Sequence, residues 1–148
     1  MTNNDDIKAL KLLEKAIEIA QKNLTKTKQF SPFLLLLNDT GEELFFENSE
    51  DDYIKSYELL ETLAEEKIKN NTIEVMILAI DTIIPEKFAK DIPMGIRLHL
   101  EERSQCHNKL GARFIYVPYE LCQSQESELF VRLHHPIPVG LIAEYIKA

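Results

Sequence analysis

Thr72-Ile73-Glu74-Val75-Met76-Ile77-Leu78-Ala79-Ile80-Asp81 is the stretch whose reading decides the fold. Ile73, Val75 and Ile77 alternate with their neighbours, and the pattern then merges into an unbroken apolar run, the mark of a strand covered on both faces. It predicts a strand at the centre of a sheet. Asp81 closes it. A carboxylate between Ile80 and the Ile83-Ile84 pair sits either at the sheet rim in water or half-buried with a partner. If buried, it must accept from N–H groups of the 82–88 loop, or meet a cation such as Arg97 or Lys87, to offset desolvation. Asp81 is therefore read as a cap that fixes a loop, with a catalytic acid as the sharper alternative.

Upstream, Ser49 can cap a helix, with Asp52 three residues on. Tyr53, Tyr57, Leu60, Ala64 and Ile68 give that helix its apolar stripe, and Lys67, Lys69, Asn70 and Asn71 end it. Before it stands a hairpin. Phe33–Leu37 is a continuous apolar strand, Asn38-Asp39-Thr40-Gly41 is a turn, and Glu43–Glu47 returns. Residues 1–28 read as a helix, with Ile7, Leu10, Leu13, Ile17, Ala20 and Leu24 recurring at steps of three and four.

Downstream, Pro85 and Pro93 mark 83–93 as a loop. Gly95–Arg103 alternates cleanly, with Ile96, Leu98 and Leu100 on one face and Arg97, His99 and Glu101 on the other. Gly111–Val117 is the returning strand, ended by Pro118, and Leu129–Leu133 is a short sixth strand. Pro138, with Leu141, Ile142, Tyr145 and Ile146, predicts a terminal helix docked on the body. The order is α-ββ-α-βββ(β)-α: an α+β chain with an antiparallel sheet of five or six strands, in one domain over 1–148.

Composition bounds the function. The 148 residues carry 17 basic and 25 acidic side chains, a net charge of −8, against the clustered Lys and Arg that a nucleic-acid backbone requires. No apolar run approaches the ~18 residues that cross a bilayer. Two cysteines and a charged opening segment, without a secretory signal, point to a reducing cytoplasm. Gly41, Gly95, Gly111 and Gly140 stand too far apart to build a phosphate-cradling loop, so no nucleotide cofactor is expected. Cys106, His107, Cys122, His134 and His135 lack the paired spacing of a zinc site, and no metal is expected.

The richest chemical constellation is Arg97, His99 and Glu101 on one strand face, about 7 Å apart at every second position. Such a row can hold a small anion or form a His–Glu relay, with Tyr116 or Tyr119 nearby. The plainer reading is that an antiparallel sheet with one wet face carries charged residues in this way without further cause.

Two resemblances complete the reading. The element order is similar to that of roadblock and profilin-like folds, a likeness of topology that carries no function. Ser31-Pro32-Phe33, Asp39-Thr40-Gly41, Ala79-Ile80-Asp81, Leu98-His99-Leu100-Glu101 and Val117-Pro118-Tyr119 together resemble a widespread family of bacterial proteins without an assigned activity, over roughly residues 10 to 120. The turn after Glu102 departs from it by being longer and more polar. The resemblance implies a cytoplasmic bacterial protein and supplies no catalytic residues.

The leading expectation is a non-enzymatic protein–protein interaction module, self-associating as a homodimer through the first helix or the C-terminal segment. An immunity or antitoxin-like form would meet a basic protein partner. The competing expectation is a small-ligand binder or hydrolytic enzyme using Arg97, His99 and Glu101, with Tyr119 among the ligand contacts.

Overall fold

The computed structural model describes residues 4–48, 52–89 and 91–147. At its centre β3 (Ile73–Ile83) pairs with β1 (Phe33–Asn38) on one side and β4 (Met94–Glu102) on the other. β2 (Glu43–Glu47) flanks β1, and β5 (Ala112–Gln123) flanks β4. β6 (Leu129–Leu133) and β7 (Ile137–Leu141) both pair with β5. Every pairing is antiparallel, in the order β2-β1-β3-β4-β5-β6 with β7 also on β5, which is the expected α+β architecture. β2 and β3 run the same way on either side of β1, so the chain between them must cross the sheet. The helix α2 (Tyr53–Asn70) makes that crossing and covers one face. The helix α1 (Asn4–Thr27) lies on the other.

Two cores result. Leu35, Ile77, Leu98 and Val117 pack beneath α1, while Leu34, Met76 and Leu78 pack beneath Leu60 and Ala64 of α2. Phe33–Leu37 of β1 and Val75–Ala79 of β3 are thus buried on both sides, which is why those stretches carry no polar residue. Each such aliphatic side chain contributes about 1.5–3 kcal/mol by leaving water. Asn38 closes the hairpin turn, its Oδ1 accepting from the N–H of Thr40 and Glu42 (3.1 and 2.8 Å), while Gly41 takes a φ of 86°.

Four expectations are corrected. The buried stripe of α1 is Ala9, Leu12, Ala16, Ala20 and Leu24, with Leu13 and Ile17 only partly covered, whereas Ile7 and Leu10 are 37% and 56% exposed. Alanines let the helix lie close to the sheet, so small residues rather than the bulkiest ones mark the contact. The N-cap of α2 is Asp52, whose side chain accepts from the N–H of Ile54 and Lys55; Ser49 lies outside the described residues. Pro118 does not end β5. The strand continues to Gln123, and Pro118 stands where its partner changes from β7 to β6. There the carbonyl of Pro118 accepts from the N–H of His134 (2.9 Å). β6 and β7 are two halves of one lane broken opposite this proline.

The fourth correction concerns the C-terminus. Pro138 lies in a strand, β7, opposite Ile115, and no helix follows it among the described residues. Proline fits an edge strand as well as a helix start, because its missing N–H faces away from the ladder. Among the described residues no helix is long and apolar enough to cross a membrane.

Candidate functional site

β4 delivers the expected alternation. Ile96, Leu98 and Leu100 face α1, and Arg97, His99 and Glu101 face the other way. That other face is not wet. His99 and Glu101 are 2% and 0% exposed. Arg97 lies with its guanidinium 4.4 Å from the ring centre of Phe114 and donates to the Tyr57 hydroxyl (2.7 Å). The Tyr57 phenol is raised by burial, although the adjacent guanidinium opposes that shift.

The segment after β7 covers this row. Glu101 Oε1 accepts from the N–H of Tyr145 and Ile146 (2.9 Å each), and Oε2 accepts from the N–H of Glu144 (3.1 Å) and meets His99 Nε2 at 2.7 Å. Three successive amides form an anion-holding concavity, and the anion is the protein's own Glu101. Burial alone would raise this carboxyl; the hydrogen bonds from His99 and from the amides of Tyr145, Ile146 and Glu144 outweigh it and hold it below the usual range. The ionised carboxylate can only accept, so His99 Nε2 carries the proton that it donates. The Tyr145 ring packs against His99, and its hydroxyl donates to Glu61 (3.0 Å), fastening the segment to α2 as well. His99 and Glu101 form a structural clasp with every carboxylate oxygen occupied.

Tyr119 is on the opposite face, among the residues beneath α1, so the expected set Arg97, His99 and Tyr119 is divided by the sheet. Tyr119 instead donates to Asp81 Oδ1 (2.7 Å). Asp81 is half-buried, and its partner is neither a loop amide nor Arg97 or Lys87. Burial raises the Asp81 carboxyl, and the hydrogen bond from Tyr119 partly offsets this. Burial and the same bond raise the Tyr119 phenol. The pair opens on a cleft of about 500 Å³ beyond the end of α1, shared with Lys28, Asp91, Met94 and Leu121. A second cavity of about 280 Å³ adjoins it across Asp91 and Ile92, lined by His134 and His135. Alternation along β3 and β5 puts Asp81 and Tyr119 on one face, but their meeting across β4 requires the register to be known.

Among the described residues no three His, Cys, Asp or Glu side chains come together as metal ligands, and Cys106 and Cys122 are free thiols. His134 Nε2 meets Glu120 at 2.8 Å.

A third feature lies at the sheet edge. Asn38 N–H donates to the Glu42 carbonyl (3.0 Å), which makes 38/42 a hydrogen-bonded pair. By the antiparallel alternation, Leu44 and Phe46 turn their backbone groups toward β1, and Glu43, Phe45 and Glu47 turn theirs outward. Among the described residues no strand pairs with that outer edge. The three side chains are exposed on the α1 side, where Phe45 touches the ring of Phe33 and Glu43 pairs with Lys15 (2.8 Å).

The chain matches no family model, no curated protein and no solved structure.

Proposed function

We propose that the protein is a non-enzymatic interaction module that accepts a basic, extended segment of a partner protein as an added strand on β2. The observation that carries this reading is the open edge itself: outward backbone groups on Glu43, Phe45 and Glu47, with a carboxylate on either side of Phe45, which is 47% exposed. An unpaired edge is a template for another chain, and backbone hydrogen bonds supply affinity while alternate side chains supply choice. A segment alternating Lys, apolar, Lys would place its ammonium groups opposite Glu43 and Glu47 and its apolar residue on Phe45. Each such cross-strand pair contributes about 0.2–1 kcal/mol.

Self-pairing along β2 is disfavoured, because a two-fold axis at Phe45 sets Glu43 against the partner copy's Glu47. Self-association through α1 or the C-terminal segment would rest on Ile7, Leu10 and Ile142, the exposed apolar residues there. The net charge of −8 favours encounter with a basic partner. The competing enzymatic reading draws no support from His99 and Glu101, since His99 Nε2 is engaged by Glu101 and Glu101 holds the amides of the C-terminal segment.

Fluorescence anisotropy with a labelled peptide containing Lys-Val-Val-Val-Lys tests the proposal. Saturable binding is expected, with at least ~10-fold weaker binding of the Glu-flanked counterpart, worth about 1.4 kcal/mol. Phe45→Pro removes one outward N–H while leaving the ladder to β1 in place, and should abolish binding, whereas Phe45→Ala should only weaken it. Equal binding of both peptides, or full affinity in Phe45→Pro, overturns the proposal; a concentration-dependent dimer that Phe45→Pro abolishes would show that the edge serves a second copy instead.

A further inference from the structure

The cleft beyond α1 lies on the opposite side of the sheet from the clasp and is independent of the β2 edge. α1 stops where Lys28 takes a left-handed φ of 67° and donates its N–H to the Leu24 carbonyl (2.8 Å). The sheet extends further than the helix does. Past the helix end, Asp81 of β3, Met94 of β4 and Tyr119 and Leu121 of β5 line the cleft of about 500 Å³. Its volume falls within the range of small-molecule sites, roughly 300–1,000 Å³.

Asp81 gives this hollow its chemistry. Tyr119 anchors Oδ1, and among the described residues no Lys, Arg or His forms an ion pair with the carboxylate. A half-buried carboxylate without a cation carries a desolvation cost that an incoming ammonium group would offset. Tyr119 fixes its direction, so the acceptor is held in place before any ligand arrives. Asp91 lines the same cleft, and Met94 and Leu121 supply apolar wall. Glu120, also in the lining, is already answered by His134. Among the described residues Lys28 is the one cation in the lining, and it is exposed, so its charge is largely solvated.

We propose that this cleft binds a small aliphatic diamine, with one ammonium group on Asp81, the methylene chain along Met94 and Leu121, and the second ammonium group toward Asp91. An anion would face uncompensated carboxylates. A metal ion would lack a third protein ligand among the described residues. A neutral alcohol could hydrogen-bond but would leave the charge on Asp81 unanswered. A diamine meets the acidic groups and the apolar wall together.

Isothermal titration with 1,4-diaminobutane on the full chain tests this, with butylamine, 1-butanol and butyrate as comparisons. Wild type should bind the diamine saturably, butylamine more weakly, and the alcohol and carboxylate not at all. Asp81→Asn keeps the shape and an acceptor for Tyr119, and should weaken diamine binding at least ~10-fold. Asp39→Asn, in the distant hairpin turn, should leave it unchanged. Methyl NMR on wild type gives a reading that does not depend on any variant folding: the Met94 and Leu121 signals should shift along the same isotherm. No saturation below about 10 mM, equal affinity in Asp81→Asn, equal binding of butyrate, or shifts confined to other methyl groups would each overturn the proposal.

Discussion

Glu101 is fully buried and still favours its ionised form, because His99 and three backbone amides converge on it. Its folded-state pKa is depressed below that of a free glutamate. The stabilisation is therefore fully present above the ordinary glutamate range and is lost as pH falls through the folded-state value. Glu101→Gln puts an amide N–H₂ where only acceptors fit, and should lower stability by about 2–4 kcal/mol at neutral pH. Urea melts should show that gap narrowing as pH falls below the ordinary glutamate range and through the lower folded-state value, where the wild-type carboxyl takes up its proton. A gap that stays constant with pH would mean that packing, and not charge, carries the loss. Asp81 has the opposite sign: its raised pKa makes the ionised form a small liability that shrinks as pH falls. The row Arg97, His99, Glu101 was legible as one face of one strand. Its burial was not, because the amides that cover it lie more than 40 residues downstream and no local pattern announces them.

Elements with a two-sided apolar run were the easiest to place, since nothing but burial on both faces explains Phe33–Leu37 or Ile77–Ile80. The first helix was legible as a helix but not in its rotation, because Ala9, Ala16 and Ala20 weigh little in a hydrophobic pattern although they form the contact. This distinction is measurable. Leu12→Ala should cost about 2–4 kcal/mol through the cavity it leaves. Leu10→Ala should change stability by less than about 0.5 kcal/mol. Urea melts of the two variants decide it, and the reverse ranking would restore the larger-residue stripe to the core. The last segment reads as a helix for a related reason. Pro138 is permitted both at a helix start and in an edge strand, and only the availability of β5 as a partner separates the two.

At the scale of the whole molecule, the two sheet faces are taken up by α1, α2 and the C-terminal clasp, which directs attention to the edges. On the β5 side the outermost lane is β6 and β7, two five-residue strands broken opposite Pro118, with Pro138 within β7. The β2 side is open among the described residues, and it is short, acidic at both ends and apolar between. Short length and flanking charge are also how proteins keep an edge from indiscriminate pairing, so the same features that admit a basic strand exclude a copy of the chain. The most direct measurement is amide hydrogen exchange with and without the Lys-Val-Val-Val-Lys peptide. The outward amides of Glu43, Phe45 and Glu47 should exchange freely in the lone chain and slow on addition of peptide. Those of Leu44 and Phe46, already bonded to β1, should not change. Slowing elsewhere with the three outward amides unaffected would contradict strand addition on β2.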